Sequence, residues 1–144
     1  DLRNAVASKI DENAGSSNGN DTYLWGAGAG QDTIYDWSSN TGNTDLAKIT
    51  GGIAPDKLWF RHVGNDLEVS LIGTSDKMTI QNWYSGSTYH IEQFKTDDNK
   101  VLLDTRVENL VQAMAAFAPP SAGQTTLPQN YQDALAPVIA ANWQ

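Results

Sequence analysis

The stretch that decides the fold is Gly19-Asn20-Asp21-Thr22-Tyr23-Leu24-Trp25-Gly26-Ala27-Gly28-Ala29-Gly30-Gln31-Asp32-Thr33-Ile34-Tyr35-Asp36, residues 19–36. It contains two steps of the form Gly-x-Asp-x-apolar, which end at Tyr23 and Ile34. Glycine lets the backbone turn its carbonyl oxygens inward, and a nearby carboxylate supplies the charge that a hard cation prefers. The pattern therefore predicts turns that bind calcium.

The candidate calcium ligands are carboxylates and turn carbonyls. Asp21 and Asp32 close the two steps, and Asp36 follows Asp32 at a spacing that places both on the same side of an extended segment. Asp45 is a further candidate carboxylate. The residues expected to offer carbonyl oxygens are Asn18, Asn20, Gly28 and Gly30.

Glycine occupies every second position from Gly26 to Gly30. Such a segment is too flexible to hold one shape unless something external orders it, and a bound ion would do so. The alternative interpretation is a glycine-rich linker with solvated acidic residues.

Residues 19–36 resemble the last turns of an RTX, or haemolysin-type, calcium-binding repeat array, whose signature is the nonapeptide Gly-Gly-x-Gly-x-Asp-x-apolar-x. The sequence that follows is similar, in order and spacing, to the haemolysin-type calcium-binding-related domain found after such repeats. The similar runs are Ile53-Ala54-Pro55-Asp56-Lys57-Leu58-Trp59-Phe60, Gly64-Asn65-Asp66-Leu67-Glu68-Val69, Gly73-Thr74-Ser75-Asp76-Lys77-Met78-Thr79-Ile80-Gln81-Asn82-Trp83 and Tyr89-His90-Ile91-Glu92-Gln93-Phe94. The resemblance covers residues 17–144.

The array departs from the family pattern. Ser16 and Ser17 stand where an opening glycine pair is expected, and Asp21 and Asp32 are not spaced as in the nonapeptide. We therefore expect a degenerate array that holds few ions. The closing turn at residues 97–100 is also altered, but Asp and Asn tolerate turn geometry, so a hairpin is still predicted there.

The resemblance implies a mainly β fold, with a short parallel β-roll continued by an antiparallel β-sheet and followed by C-terminal α-helices. Four regions are predicted. Residues 1–16 are an N-terminal extension or linker remnant, residues 17–50 the degenerate calcium turns, residues 51–104 the antiparallel β extension, and residues 105–144 a helical cap that also carries a candidate secretion signal.

Short runs rich in apolar residues, separated by Gly, Asn and Asp turns, predict strands at 58–63, 67–72, 78–84, 89–94 and 101–103. In the second of these, Leu67, Val69 and Leu71 alternate with polar residues, which is typical of a half-buried antiparallel strand. Helical spacing of apolar residues from Val107 to Phe117 predicts a helix that Pro119 stops. A second helix is predicted to begin with Asn130 as its N-cap and to kink or split at Pro137.

Composition excludes several classes of protein. The 144 residues suit one domain, and the net charge of −8 disfavours binding to nucleic acid or anionic lipid. Cysteine is absent, which rules out disulfides and thiolate metal sites. No apolar stretch reaches the ~18 residues that span a bilayer. Because the chain opens with Asp1 and without a charged-then-apolar leader, we expect a fragment or a processed product.

No catalytic motif is present. His62 and His90 are the two histidines, and neither lies beside a nucleophile elbow or a metalloprotease motif. Both are predicted to lie on strands as packed or surface imidazoles. The Asp-Pro bond at which some RTX-like relatives cleave themselves is also absent, so the chain is predicted not to be an enzyme.

The aromatic residues allow two interpretations, a hydrophobic core or an exposed surface that stacks on sugars. The set is Trp25, Trp37, Trp59, Trp83, Tyr84 and Tyr89.

The resemblance implies a calcium-binding C-terminal module of a secreted, extracellular protein from a Gram-negative bacterium. Repulsion between acidic turns and the entropy of glycine predict that extracellular calcium folds or stabilises it. The resemblance also implies export by a type I secretion apparatus that reads the C-terminal end, here Ala140–Gln144. The alternative is a calcium-independent structural cap, or an adhesion module that binds carbohydrate or protein.

Overall fold

The computed structural model describes residues 22–28, 30–34 and 45–144. In this part of the chain there are eight strands: β1 (Thr22–Gly26), β2 (Gln31–Ile34), β3 (Leu46–Thr50), β4 (Leu58–Val63), β5 (Asp66–Leu71), β6 (Lys77–Ile80), β7 (Gln93–Thr96) and β8 (Val101–Leu103). The α-helices are α1 (Asp104–Met114) and α2 (Gln129–Asn142). Short 3₁₀ helices span Pro55–Lys57, Trp83–Ser85 and Ser87–Tyr89.

The strands form two mixed sheets of four strands each. Sheet A has the order β1-β3-β7-β8, in which the first three strands are parallel and β8 is antiparallel. Sheet B has the order β2-β6-β5-β4, in which β2 and β6 are parallel and the remaining pairs are antiparallel. Successive strands β1, β2 and β3 alternate between the sheets, as do β6 and β7, and the β4–β5 hairpin is added to sheet B.

The predicted mainly β fold with C-terminal helices is confirmed, but a separate parallel roll is not found among the described residues. Parallel and antiparallel pairs share the same two sheets. The physical reason is that β1, β2 and β3 are short and few, and an isolated pair of short strands cannot bury a face of its own. Instead, β2 pairs with β6, and β1 joins sheet A through β3, which pairs with β7.

The core consists of inward-facing residues from both sheets. Paired positions in sheet A align Tyr23, Ala47, Phe94 and Leu102, all fully buried. In β5 the predicted alternation is confirmed, since every second residue from Leu67 to Leu71 is buried. Each large side chain buried in this way contributes about 1.5–3 kcal/mol to the free energy of unfolding.

Two predicted strands are shorter than expected. The strand predicted at 78–84 ends at Ile80, and the strand predicted at 89–94 begins only at Gln93. The backbone between them turns at Asn82, which adopts a left-handed conformation (φ 63°) and so ends the extended run. The β7–β8 hairpin predicted around residues 97–100 is present, with Asn99 left-handed (φ 66°).

The first predicted helix is confirmed, and the second begins differently from its prediction. In α1 the predicted apolar face is buried from Val107 to Met114. In α2 the N-cap position is held by Pro128, so Asn130 lies inside the helix. Pro137 does not split α2. The helix continues past this proline because Ile139 is buried and the Asn142 side chain accepts a hydrogen bond (2.8 Å) from that of Asn109.

Two sheet edges are closed by the C-terminal part of the chain. Leu102 of β8 forms a bridge with Trp143, which is 3% exposed, and the Gln144 amide donates to the Val101 carbonyl (2.9 Å). At the edge of sheet B, the Phe60 amide in β4 contacts the sulfur of Met114 in α1 (3.1 Å).

Candidate functional site

Half of the predicted calcium ligands lie in the described part of the chain. Gly28 and Gly30 belong to the turn between β1 and β2, Asp32 lies in β2, and Asp45 immediately precedes β3. The other predicted ligands lie outside the described residues: Asn18, Asn20, Asp21 and Asp36.

Asp32 occupies an inward position of sheet B. Its register partner is Met78, which pairs in turn with Val69 and then with Phe60. Those three residues are at most 1% exposed, and one carboxylate oxygen of Asp32 is itself buried. Since neighbouring residues across a sheet point to the same side, the register places a carboxylate at the end of an otherwise apolar row.

The glycine-rich turn between β1 and β2 is closed by Asp76. The Gly28 amide donates to Asp76 Oδ2 (2.9 Å) and the Gly30 amide donates to Asp76 Oδ1 (3.0 Å). Both glycines have positive φ, 84° and 79°, which side chains rarely adopt. One carboxylate therefore orders the segment that the sequence alone presents as flexible.

The carbonyls of this turn are partly used by the sheet. The Gly30 carbonyl accepts a hydrogen bond from the Lys77 amide (2.9 Å). A carbonyl oxygen has two lone pairs, so a second contact with a cation is compatible with this bond.

At the opposite end of the strands, acidic residues occupy neighbouring positions of sheet A. Asp45, Glu92 and Asp104 each lie next to the end of a paired strand, and Asp45 is 2% exposed. The Asp45 amide donates to Glu92 Oε1 (2.8 Å). Burial, together with the nearby carboxylates of Asp45 and Asp104, raises the pKa of Glu92 to about 7 although the Asp45 amide opposes the rise.

Two more carboxylates accept hydrogen bonds from turn amides. Asp66 accepts from the Asn82 amide (2.8 Å), and Asp97 accepts from the Gly52 amide (2.9 Å). Asp98 accepts from the Thr96 hydroxyl, and this hydrogen bond lowers the pKa of the Asp98 carboxyl. Carboxylate-to-backbone contacts thus recur at the turns of both sheets.

Calcium takes several oxygen ligands, and the described residues supply part of such a set. Within residues 22–28, 30–34 and 45–144, no three His, Asp or Glu side chains converge closely enough to hold a metal ion. The inward Asp32 carboxylate and the turn carbonyls beside it fit calcium in chemical type. The predicted residues that would complete the set flank β1 and β2 in the sequence.

The two histidines are packed against aromatic rings. His62 lies in β4, as predicted, and stacks on Tyr84 with 3.5 Å between ring centroids. His90 stacks on Trp83 (3.9 Å), and its ring nitrogens contact Asp104 Oδ2 (3.1 Å) and the Trp83 carbonyl (2.9 Å). The prediction that His90 lies on a strand is wrong, because β7 begins after it.

The aromatic residues favour the core interpretation where they are described. Trp25, Trp59 and Trp83 are at most 3% exposed, so their rings cannot stack on a sugar. Tyr84 is half-buried, and its hydroxyl donates to Glu108 (2.9 Å). Burial and this carboxylate raise the pKa of Tyr84. Trp37 lies outside the described residues.

Sequence reasoning missed Asp76 and gave Glu92 and Asp97 no structural role. A signal for Asp76 was present, since the run from Gly73 to Asp76 is a further glycine-led turn that ends in aspartate. No local pattern indicates which amides these carboxylates contact. Their hydrogen bonds join residues 45 to 48 positions apart in the sequence.

No α-helix in the described part of the chain is both long and apolar enough to cross a membrane.

Comparison with known proteins supports the calcium-related assignment. Residues 66–106, which contain Asp66, Asp76, Glu92 and Asp97, match the family described as haemolysin-type calcium binding protein related domain, a description that names no catalytic activity. The chain is also 37% identical over 94 residues to the iron-regulated protein FrpA of Neisseria meningitidis serogroup C. That match spans 63% of this chain and 8% of the relative. The predicted resemblance to haemolysin-type calcium-binding proteins is therefore confirmed, and residues 66–106 carry it.

Proposed function

We propose that this chain is a calcium-binding module in which the turns of residues 17–50 bind the ion and residues 66–106 hold those turns in place. The observation that carries the proposal is the inward position of Asp32, beside a glycine turn and on an edge strand that pairs in parallel with β6. A carboxylate in an apolar row is costly unless a cation or hydrogen bonds compensate its charge. Calcium is a cation that suits this position, because it binds carboxylates together with turn carbonyls.

The strand register suggests which ligands share an end of the sheets. Asp21 and Asp45 immediately precede Thr22 and Leu46, which are register partners in sheet A. We propose that these two carboxylates serve one turn, together with Asp36 and the carbonyls of Asn18 and Asn20. Asp32 and the carbonyls of Gly28 and Gly30 serve the turn at the other end.

Calcium would then stabilise the folded chain by mass action. A ligand that binds only the folded state adds about 2.7 kcal/mol to the free energy of unfolding at a concentration of 100 times its Kd. Neutralising the carboxylates also removes repulsion within a chain of net charge −8.

The test is isothermal titration calorimetry of the full chain after treatment with chelator, with circular dichroism before and after calcium. We expect saturable binding and a gain of β signal in the wild type, and affinity at least about tenfold weaker in Asp32→Asn. Asp133→Asn is the matched control, since this carboxylate is exposed on α2, where it accepts a hydrogen bond from the Gln129 side chain (2.8 Å). Binding that is equal in both variants would remove Asp32 from the site.

A second candidate function is a structural cap that needs no metal. It is favoured by the carboxylates of Asp76, Glu92 and Asp97, which satisfy turn amides without any ion. A chelator-treated wild type that is fully folded and gives no heat with calcium would support this cap and contradict the calcium-binding proposal.

We also propose that the module is extracellular and leaves the cell through a type I apparatus that reads its C-terminal end. In the folded chain Trp143 is buried against β8, so the apparatus would have to read this segment before folding. Coexpression with such an exporter should release the wild type but not a variant lacking residues 140–144. Equal release of both would contradict the proposal.

A further inference from the structure

The geometry points to Asp76 as the positioning residue of the glycine-rich turn, and we infer that its carboxylate pre-organises this turn for calcium. The role in calcium binding rests on the function proposed above, whereas the ordering of the turn does not.

The turn is held from one side by both oxygens of one carboxylate. Gly28 and Gly30 donate their amides at 2.9 and 3.0 Å, so each oxygen accepts one hydrogen. Hydrogen bonds with a charged partner are stronger than those between neutral groups. A carboxylate in this arrangement can be replaced only in part by an amide, because the side chain of asparagine has a single acceptor oxygen.

Asp76 is itself held in a rigid loop. Its amide donates to the Thr74 hydroxyl oxygen (3.0 Å), and that hydroxyl donates to the Leu71 carbonyl (3.0 Å). Gly73, at the start of the loop, has φ +90°, and its carbonyl accepts the Gly123 amide (3.1 Å). The loop is therefore fixed to the end of β5 and to the segment between the two α-helices.

The hydrogen bonds to Asp76 affect the loss of conformational entropy that accompanies calcium binding at the turn. Ordering one residue costs about 1–2 kcal/mol, and glycine loses more freedom than other residues. A turn that Asp76 has already ordered leaves less of this cost to the binding of calcium. Asp32 lies in β2, two residues after Gly30. Ordering the turn therefore also fixes the start of the strand that carries this proposed ligand.

Asp97 offers a matched control. It also accepts a hydrogen bond from a glycine amide, that of Gly52 (2.9 Å), in a turn that contains none of the predicted calcium ligands. Asp76→Asn and Asp97→Asn therefore make the same chemical change at two glycine turns, only one of which belongs to the proposed site.

The experiment is native-state amide hydrogen exchange by nuclear magnetic resonance on the full chain in chelator, followed by calcium titration. For Asp76→Asn we expect exchange of Gly28 and Gly30 to accelerate by about tenfold or more, and the calcium Kd to rise by a similar factor. For Asp97→Asn we expect faster exchange of Gly52 alone and an unchanged Kd.

Each failure has a distinct signature. Unchanged exchange of Gly28 and Gly30 in Asp76→Asn would overturn the positioning role. Faster exchange with an unchanged Kd would also overturn it, because the ordered turn would then contribute nothing to calcium binding. A wild type that shows no calcium heat contradicts the proposed function instead, and the exchange data in chelator still decide whether Asp76 orders the turn.

Discussion

The two sides of the sheets are held together by different interactions. On the side of β4 and β8, edges are covered by Met114 and Trp143, which bury apolar surface. On the side of β1 and β2, the turns are fastened by carboxylates from residues far along the chain. Apolar burial depends little on ions, whereas carboxylate contacts respond to pH and cations. We therefore expect general stability to depend on the first side, and sensitivity to pH and cations to depend on the second.

The largest expected effect comes from removing apolar contacts at the β8 edge. Trp143→Ala should lower the free energy of unfolding by about 3–5 kcal/mol, because it removes a large buried ring at the position that bridges to Leu102. Urea denaturation measures this loss. Leu103→Ala is the control, since Leu103 is 41% exposed and should change the free energy by less than about 1 kcal/mol. Equal losses would mean that Trp143 does not close the sheet.

A smaller effect is expected in the loop that carries Asp76 to the other side. In Gly73→Ala the new methyl group would lie 2.9 Å from Thr125 Cγ2 and 3.0 Å from its Cα, at φ +90°. We expect a loss of about 2–3 kcal/mol in thermal or urea unfolding.

Gly64→Ala separates crowding from backbone strain. Gly64 also has positive φ (61°), but among the described residues no atom lies within 4 Å of the added group. This variant should lose only about 1 kcal/mol. If both variants lose the same amount, contact between Gly73 and Thr125 has no energetic role.

The smallest expected effect concerns Glu92 and the pH dependence of the free energy of unfolding. Its folded-state pKa of about 7 lies above the ordinary value of 4.5, so the folded chain holds this proton more tightly than the unfolded chain. The resulting stabilisation is complete below about pH 4.5 and is lost as the pH rises through about 7. Glu92→Gln should remove about 1 kcal/mol of this pH dependence, a figure reduced for solvent screening of a half-exposed side chain.

The measurement for Glu92 is urea unfolding at pH values between 4 and 8, in chelator, for the wild type and Glu92→Gln. Asp133→Asn, in an exposed part of α2, should keep the slope of the wild type. If the stability of Glu92→Gln changes with pH as steeply as that of the wild type, other carboxylates account for the pH dependence. Asp45 and Asp104 are the carboxylates that face Glu92.

Local periodicity determined much of the secondary structure. The strands at 58–63 and 101–103 follow from short apolar runs next to turn residues, and the buried face of α1 follows from helical spacing. Helix α2 was harder to predict, because Asn130 suits an N-cap by type while Pro128 holds that position. Propensity is a local preference that neighbouring residues override.

Spacing along the chain was enough to find the apolar alternation of β5 and to predict the glycine–aspartate turns and the candidate calcium ligands, because each of these is a local pattern. The pairing of β2 with β6 and of β3 with β7, and the hydrogen bonds by which Asp76 and Glu92 hold turns more than 40 residues away, depend on the tertiary structure. The sequence around a carboxylate does not indicate which backbone amide will donate a hydrogen bond to it. That choice follows from how the two sheets pack around one core.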